Sequence, residues 1–252
     1  MLLAIDRGNS FTKIALFDGD NLRAAWRRNS AGDYAELLTS LFTESAIDRA
    51  LVDAVVIGSV VPASTAALAQ AAKELFGVDA YVATSANAVG IAVDYDPPGT
   101  LGIDRLADAV AAVHFVGTPS IAVDMGTATT FNVVVDGPRF IGGAIAPGVG
   151  VLSEALSKRT AQLPAVELVK PPRVIARNTQ QALQSGLFYG YASMVDGMVA
   201  RLRAEIGVDC PVIVTGGGAS TELIAVCSGV TAVEPHLTLH GLRLLFERRA
   251  SG

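Results

Sequence analysis

Residues 121–132 read Ile-Ala-Val-Asp-Met-Gly-Thr-Ala-Thr-Thr-Phe-Asn. An apolar run carries the chain to Asp124, a Gly-Thr turn follows, and a Thr-rich segment continues into the apolar residues 131–135. That pattern is a buried strand, a tight turn and a second strand, with one carboxylate at the turn. The same arrangement opens the chain: residues 2–5 are apolar, Asp6-Arg7-Gly8-Asn9-Ser10 follows, and residues 11–17 are largely apolar again. In both copies Gly stands two positions after Asp, and a hydroxyl residue comes within two more. A chain that uses this device twice is constrained to two similar halves, each presenting a carboxylate and a hydroxyl-bearing turn to a shared cleft.

The remaining residues fill in the same plan twice. Strands are expected at 2–6 and 12–17, closed by a turn over 7–11, with a third strand at 22–28. A helix over 34–47 follows a cap at Asp33. A buried strand at 54–59 leads to Pro62, which opens a helix over 63–76 as proline does in a first turn. A short strand at 80–83, an irregular stretch over 85–100 and an Ala-rich helix over 102–115 complete the first half. The second half begins near Ser120 with a meander at 122–124, 129–135 and 139–145, then a helix over 147–156 and a mostly polar excursion over 157–173. A long helix over 179–206, a strand at 212–215, a Gly216-Gly217-Gly218 junction into a helix over 219–227, a strand at 230–233 and an amphipathic helix over 239–249 close the chain. Three strands, a helix, a strand and a helix, occurring twice, make a duplicated α/β architecture, with half-domains at 1–117 and 118–252.

Composition excludes several classes. Hydrophobic residues make up 51% and charged residues 17%, which favours a packed core over disorder. No uninterrupted apolar run reaches the roughly 18 residues a membrane span needs. The first residues lack a basic n-region and meet Asp6 at once, so no signal peptide is expected and the cytoplasm is the expected compartment. Two cysteines, Cys210 and Cys227, supply neither a disulfide framework nor a metal-ligand spacing, and read as buried thiols. A net charge of −5 argues against nucleic acid as a partner, and the basic clusters at 23–28 and 243–249 read as solvated faces. His114, His236 and His240 are scattered and suit neither a metal site nor a triad. Tyr189 and Tyr191 lie on the long helix, where a partner subunit and the core are both open to them.

The paired turns carry the chemistry, and a nucleotide with its metal is the ligand that most often needs such a pair. Gly8, Asn9 and Ser10 can bring backbone N–H groups close to phosphate oxygens, because Gly8 has no Cβ in the way. Asp6 ends a buried strand, where Mg²⁺ is a natural partner for its charge, and Lys13 can reach a phosphate. An ordinary hairpin turn has the same composition. Asp124 either serves the same purpose or caps the backbone of residues 127–129. The Gly216–Gly218 triplet stands at a strand-to-helix junction, where it can cradle phosphate, accept an adenosine or simply turn the chain. Between the halves, Tyr95-Asp96-Pro97-Pro98-Gly99-Thr100-Leu101-Gly102-Ile103-Asp104-Arg105 is an extended loop ending in a helix's first turn. Asp104 suits the helix dipole there, whereas Arg105 does not, so an anion partner is attractive. A small acid could set its carboxylate on Arg105 and its hydroxyl on Asp104.

Taken together, Asp6-x-Gly-Asn-Ser, Ser59-Val60-Val61-Pro62, Tyr95 with Gly102-Ile103-Asp104-Arg105, Asp124-x-Gly-Thr-Ala-Thr-Thr and Gly142-Gly143-Ala-Ile-Ala-Pro-Gly148 resemble the type III pantothenate kinases. The resemblance, also to the Bvg accessory factor family, runs in order over almost the whole chain. It implies the acetate kinase/hsp70/actin-like superfamily fold: two ribonuclease H-like half-domains, each a mixed sheet flanked by helices, with the active site in the cleft between them. It implies an enzyme that phosphorylates pantothenate with ATP in the first step of coenzyme A biosynthesis. By the same resemblance Asp104 is the catalytic base, and ATP contacts fall on Asp6, Arg7, Gly8, Asn9, Ser10, Phe11, Thr12, Lys13 and Thr127. Pantothenate contacts fall on Tyr95, Gly102, Ile103, Asp104, Arg105 and Thr179. A monovalent cation, K⁺ or NH₄⁺, is implied at Asp124, and a homodimer whose substrate pocket is completed across the interface, with the long helix a plausible part of it. The sequence departs from the family where Arg7 replaces an aliphatic residue, Ser10 replaces Thr, and Asn132 stands where Asp is frequent. Other sugar or acid kinases and phosphatases of the superfamily would keep the Asp6 and Asp124 turns without needing Tyr95 and residues 102–105. A non-catalytic nucleotide-binding regulator would tolerate loss of Asp104, which is present.

Overall fold

The computed structural model describes residues 1–29, 32–159 and 163–249. They form two compact units. Unit 1 holds Met1–Ala111, Pro138–Phe140 and the chain from His236 on; unit 2 holds Ala112–Gly137 and Ile141–Pro235.

Unit 1 begins with β1 (Leu2–Arg7), β2 (Phe11–Asp18) and β3 (Asn21–Asn29), followed by α1 (Tyr34–Glu44), β4 (Ala54–Ser59), α2 (Pro62–Phe76) and β5 (Tyr81–Ala83). The sheet order is β3-β2-β1-β4-β5, with the first three strands antiparallel and β1, β4 and β5 parallel. Alternation along β1 sends Leu3 and Ile5 to one face, where they pack with Leu38 and Leu41 of α1 and Leu68 and Ala72 of α2. Asp33 caps α1 by accepting N–H groups from Ala35 and Glu36, as its sequence position predicts. Gly77, at φ 71°, ends α2. The stretch expected to be irregular contains a two-residue strand, β6 (Ala92–Val93), which pairs with Arg139 and Phe140, before α3 (Ile103–Val116) begins.

Unit 2 is built on β7 (Ser120–Met125), β8 (Ala128–Val135), β9 (Arg139–Pro147), α4 (Val149–Arg159), α5 (Thr179–Ile206), β10 (Val212–Thr215), α6 (Thr221–Ile224) and β11 (Ala232–Val233). Its strands run in the order β11-β10-β7-β8-β9, the mirror in sequence logic of β5-β4-β1-β2-β3. The duplication read from the two Asp-x-Gly hairpins is therefore present strand for strand. Gln184, Leu187, Phe188, Tyr191, Val195 and Val199 recur at helical spacing and form the buried stripe of α5. Ile121, Val123 and Phe131 of the sheet lie in the same core. Asn178 caps α5 through Gln181 N–H at 2.8 Å, and Gly207, at φ 72°, terminates it.

Several expectations are corrected, and one open question, Tyr191, is answered. The helix expected from Pro147 starts at Val149, because Pro147 still belongs to β9 and Gly148 is tied to the neighbouring turn by its N–H on Thr127 C=O at 3.0 Å. The helix over 219–227 shrinks to α6, with Ser220 as its cap, and the strand over 230–233 to β11. Tyr191 faces the core of its own unit, 2% exposed, and so is not offered to a partner. The closing helix, α7 (Leu237–Arg248), returns to unit 1 and is buried without a break from Leu237 to Leu245. It is not amphipathic there, and Arg243 is 1% exposed rather than on a solvated face. The Arg243 guanidinium is held by Asp20 and Glu247 and lies 5.7 Å from the Phe17 ring centroid, so its charge is paired as burial demands. Gly241 allows α7 to touch α3: a Cβ there would sit 1.9 Å from Ala107 O. Residues 160–162 of the polar excursion lie outside the described residues.

Candidate functional site: two Asp turns and an arginine-bearing helix start

The first turn joins β1 to β2. Asp6 and Lys13 are cross-strand partners and so share a face; Asp6 is 4% exposed and its Oδ2 lies 3.6 Å from Lys13 Nζ. Gly8 N–H donates to Phe11 C=O at 3.0 Å, closing the hairpin and leaving Asn9 and Ser10 exposed at its tip. Thr12 is fully buried within β2, and the Arg27 guanidinium covers the Phe11 ring at 3.4 Å. The sequence left Arg7 between phosphate and solvent. In the structure its Nε–H donates to Tyr34 Oη at 2.8 Å and its Nη1–H to Gly8 C=O, with the residue 7% exposed.

The second turn joins β7 to β8. Asp124 pairs with Thr130 on one side and lies beside Thr215 on the other, the position Asp6 occupies between Lys13 and Gly58 in unit 1. Here the surroundings are glycine backbone. Gly126 N–H donates to Ala128 C=O at 3.1 Å, and Gly218 N–H to Met125 C=O at 2.8 Å. A Cβ on Gly216, whose φ is +97°, would sit 2.2 Å from Asp124 Oδ1; one on Gly148 would sit 2.2 Å from Gly126 O. The Gly triplet therefore turns the chain onto the Asp124 hairpin, and Gly148 closes the other side. Behind the turn, Thr129 Oγ1 and Tyr191 Oη are 2.6 Å apart in the core. Burial pushes the Tyr191 phenol above its usual range, the Thr129 bond opposes this, and the Asp124 charge adds to it. Thr127 is exposed at the tip, and Thr179 is exposed as the first residue of α5.

The third element lies within unit 1. Asp104 Oδ1 accepts the Arg105 N–H at 2.8 Å in the first turn of α3, and a Cβ on Gly102 would meet the same oxygen at 2.4 Å. Gly102 is thus what admits the carboxylate to that position. Arg105 is 6% exposed: its Nη1–H donates to Tyr95 Oη at 3.3 Å, and its guanidinium lies 5.6 Å from the centroids of both Tyr95 and Phe140. The structure so brings Tyr95, Gly102, Asp104 and Arg105 together, as the sequence reading required. Ile103 is buried beside them and packs rather than presents a polar group. Phe140 was missed, because a lone aromatic at the start of a strand carries no signal by spacing. Tyr191, left open by the sequence, faces the core, the side that Leu187, Phe188 and Val195 around it mark.

The donor sets suit the implied ions. Among the described residues no group of three or more His, Cys, Asp or Glu side chains is placed to hold a metal. Mg²⁺ in phosphoryl-transfer sites needs only one or two carboxylates with phosphate and water oxygens, which Asp6 can supply. Asp124, against a glycine cradle that any Cβ would fill, offers carboxylate and backbone oxygen to a hard cation. No helix among the described residues is long and apolar enough to cross a membrane.

A family model described as type III pantothenate kinase matches residues 2–201. The chain is 44% identical over 253 residues to the type III pantothenate kinase of Roseiflexus castenholzii, covering 98% of each chain. It is 41% identical over 256 residues to that of Brevibacillus brevis, covering all of both. Among solved structures it is similar to a Baf family transcriptional activator from Campylobacter jejuni, with a TM-score of 0.61, 18% identity and coverage of 99% of this chain and 100% of that one. It also resembles a ROK family glucokinase from Streptomyces griseus in complex with glucose and AMPPNP, with a TM-score of 0.53, 12% identity and coverage of 98% and 99%. These structural likenesses bear on the fold, two ribonuclease H-like units each with a mixed sheet flanked by helices.

Proposed function

The chain belongs to the type III pantothenate kinase family, a phosphotransferase family of coenzyme A biosynthesis, and we propose that Asp104 is the general base of its reaction. The observation that carries this is the start of α3. There a carboxylate, admitted by Gly102 and oriented by the Arg105 N–H, stands next in sequence to a buried guanidinium bonded to Tyr95. Pantothenate has one carboxylate and a primary hydroxyl, so Arg105 and Tyr95 suit the acid's polar groups and Asp104 the hydroxyl to be phosphorylated. Thr179 is a further pantothenate contact.

The hydroxyl oxygen attacks the γ-phosphorus of ATP while Asp104 orients it and accepts its proton, a role worth about 10²–10⁴-fold in rate. Asn9 and Ser10 offer N–H groups and Lys13 an ammonium to the phosphates, which Gly8, having no Cβ, lets approach; this puts positive charge where the transition state gathers negative charge. Asp6 would hold Mg²⁺, which supplies charge neutralisation at the phosphates when bound. Thr127 is a further ATP contact, and Asp124 would hold K⁺ or NH₄⁺. The enzyme works in the cytoplasm as a homodimer. Supporting the second copy, the adjacent Val174 and Ile175 of unit 2 are 64% and 83% exposed, apolar side chains of the kind that partners cover.

Pantothenate-dependent ADP release, measured with and without K⁺ beside Asp104→Asn, tests the reading. The mutant should bind ATP as the wild type does and lose at least about 10²-fold in kcat. Near-normal turnover would remove Asp104 as base, K⁺-independent turnover would remove the cation, and a monomeric mass in sedimentation would remove the dimer.

A further inference from the structure

Arg7 is implied as an ATP contact by the family resemblance, and its place in the structure shows how it can act without touching the nucleotide. Three observations bear on it. It ends β1 on the face of Leu3 and Ile5, the face packed by α1, whereas Asp6 and Lys13 occupy the opposite face. Its guanidinium spans two anchors, Tyr34 Oη at the first residue of α1 and Gly8 C=O in the turn itself. And it is 7% exposed, so most of its surface is withdrawn from any solvent-borne ligand.

We infer that Arg7 is a positioning residue for ATP: braced by Tyr34, it grips the Gly8 carbonyl and thereby aims the Asn9 N–H at phosphate. The physical basis is the planarity of the peptide. In a trans unit the C=O of one residue and the N–H of the next point in opposite directions. Holding Gly8 C=O toward the guanidinium turns Asn9 N–H away from it. Gly8's other polar group is already committed, its N–H donating to Phe11 C=O at 3.0 Å. The two peptides that flank Gly8 are therefore both fixed, Arg7–Gly8 by a hairpin bond and Gly8–Asn9 by a charge-assisted bond. Tyr34 matters because it fixes the guanidinium: one N–H on the phenol oxygen leaves the planar fork a single approach to the carbonyl. An exposed turn of Gly, Asn and Ser would otherwise sample several peptide orientations, and each lost orientation is entropy that ATP need not remove on binding.

This inference rests on the pantothenate kinase reading. It is tested by steady-state kinetics and ATP affinity for Arg7→Met, Arg7→Lys, Tyr34→Phe and the double variant Arg7→Met/Tyr34→Phe, with thermal melting of each. Arg7→Met should raise KM for ATP about ten-fold, the size of one well-placed hydrogen bond, and leave KM for pantothenate unchanged. Arg7→Lys should fail to rescue, because an ammonium cannot span both anchors in a plane. Tyr34→Phe should show a smaller rise, and the double variant should be no worse than Arg7→Met alone, the mark of two residues acting through one contact. Rescue by Arg7→Lys with Tyr34→Phe silent would overturn the inference in favour of direct charge attraction. Lower melting temperatures with unchanged KM for ATP would overturn it in favour of simple support. Wild-type protein that hydrolyses ATP without pantothenate dependence would instead unseat the functional reading, whatever the variants do.

Discussion

The two Asp turns occupy equivalent places in equivalent sheets, yet they are held in different ways. The turn at Asp6 is held by side chains: Lys13 beside the carboxylate, Arg7 and Tyr34 behind the Gly8 carbonyl. The turn at Asp124 is held by main chain against main chain, with Gly148 and Gly218 bonded to Thr127 and Met125 and Gly216 pressed on Asp124. Long side chains can yield by a few tenths of an ångström at little cost, whereas packed backbone cannot. Duplication fixed where the carboxylates lie, and each half then found its own means of holding them. The first turn should therefore answer mutation by degrees, and the second nearly all at once.

A pair of matched glycine substitutions tests that contrast most severely. Gly216→Ala places a methyl 2.2 Å from Asp124 Oδ1 and 2.6 Å from Met125 C, at a φ of +97° that L residues rarely adopt. Backbone strain and overpacking together should cost at least about 3 kcal/mol of stability. Gly8→Ala meets one atom, Phe11 O at 3.2 Å, with no left-handed φ to maintain, and should stay within about 1 kcal/mol. Urea unfolding of the two variants beside the wild type decides it. Equal losses would break the distinction between the turns.

A second comparison reaches one layer deeper. Tyr191→Phe keeps the ring in the core and removes only the hydroxyl that meets Thr129 Oγ1 at 2.6 Å. Thr129 then keeps a weaker contact with Pro147 C=O at 3.4 Å, so the loss should be about 1 kcal/mol. The paired variant Thr129→Val/Tyr191→Phe should recover part of that loss, because it leaves no buried hydroxyl unmatched. A double variant less stable than the sum of the singles would show that the bond is not a closed pair.

How far the site was legible follows from the range of the interactions that make it. Local signals were read correctly: Asp33 as a cap, the hairpins around Gly8 and Gly126, the helix starting near Gly102. Tyr95 and Arg105, ten residues apart, were grouped by the family resemblance, and in the structure Arg105 Nη1–H donates to Tyr95 Oη at 3.3 Å. What escaped depends on contacts across the chain. Nothing in residues 5–11 announces that Arg7 will meet Tyr34, twenty-seven positions on. Arg243 reads as surface because charge runs usually are; its burial is made tolerable by Glu247 one turn on and by Asp20 and the Phe17 ring, far back in the sequence. Phe140 joins Arg105 only through the short β6–β9 pairing, which two residues of strand propensity cannot announce. Pro147 misled for a local reason: proline opens helices and can also stand at the end of a strand, and here it is the last residue of β9.

The smallest effect should appear only in alkali, and it sharpens the contrast between a braced turn and a packed one. The segment that follows the Gly216–Gly218 junction ends at Cys227, whose Sγ–H donates to Leu223 C=O at 3.4 Å in the core of unit 2. Burial, with a smaller contribution from the Asp196 charge, pushes this thiol from 9.0 up to about 11. A raised acid keeps its proton in the folded chain while the unfolded chain releases it. The stabilisation is thus fully present below pH 9.0 and is lost as pH rises toward about 11. Unfolding free energy measured from pH 8 to 11 should fall less steeply in Cys227→Ala than in the wild type, whatever constant offset the missing sulfur adds. Tyr191 and Cys210 in the same unit are also raised by burial, so a residual slope should remain. Parallel curves for the two proteins would mean that the layer behind the second turn opens to water before the thiol titrates, and the dry backbone packing claimed for that turn would be lost with it.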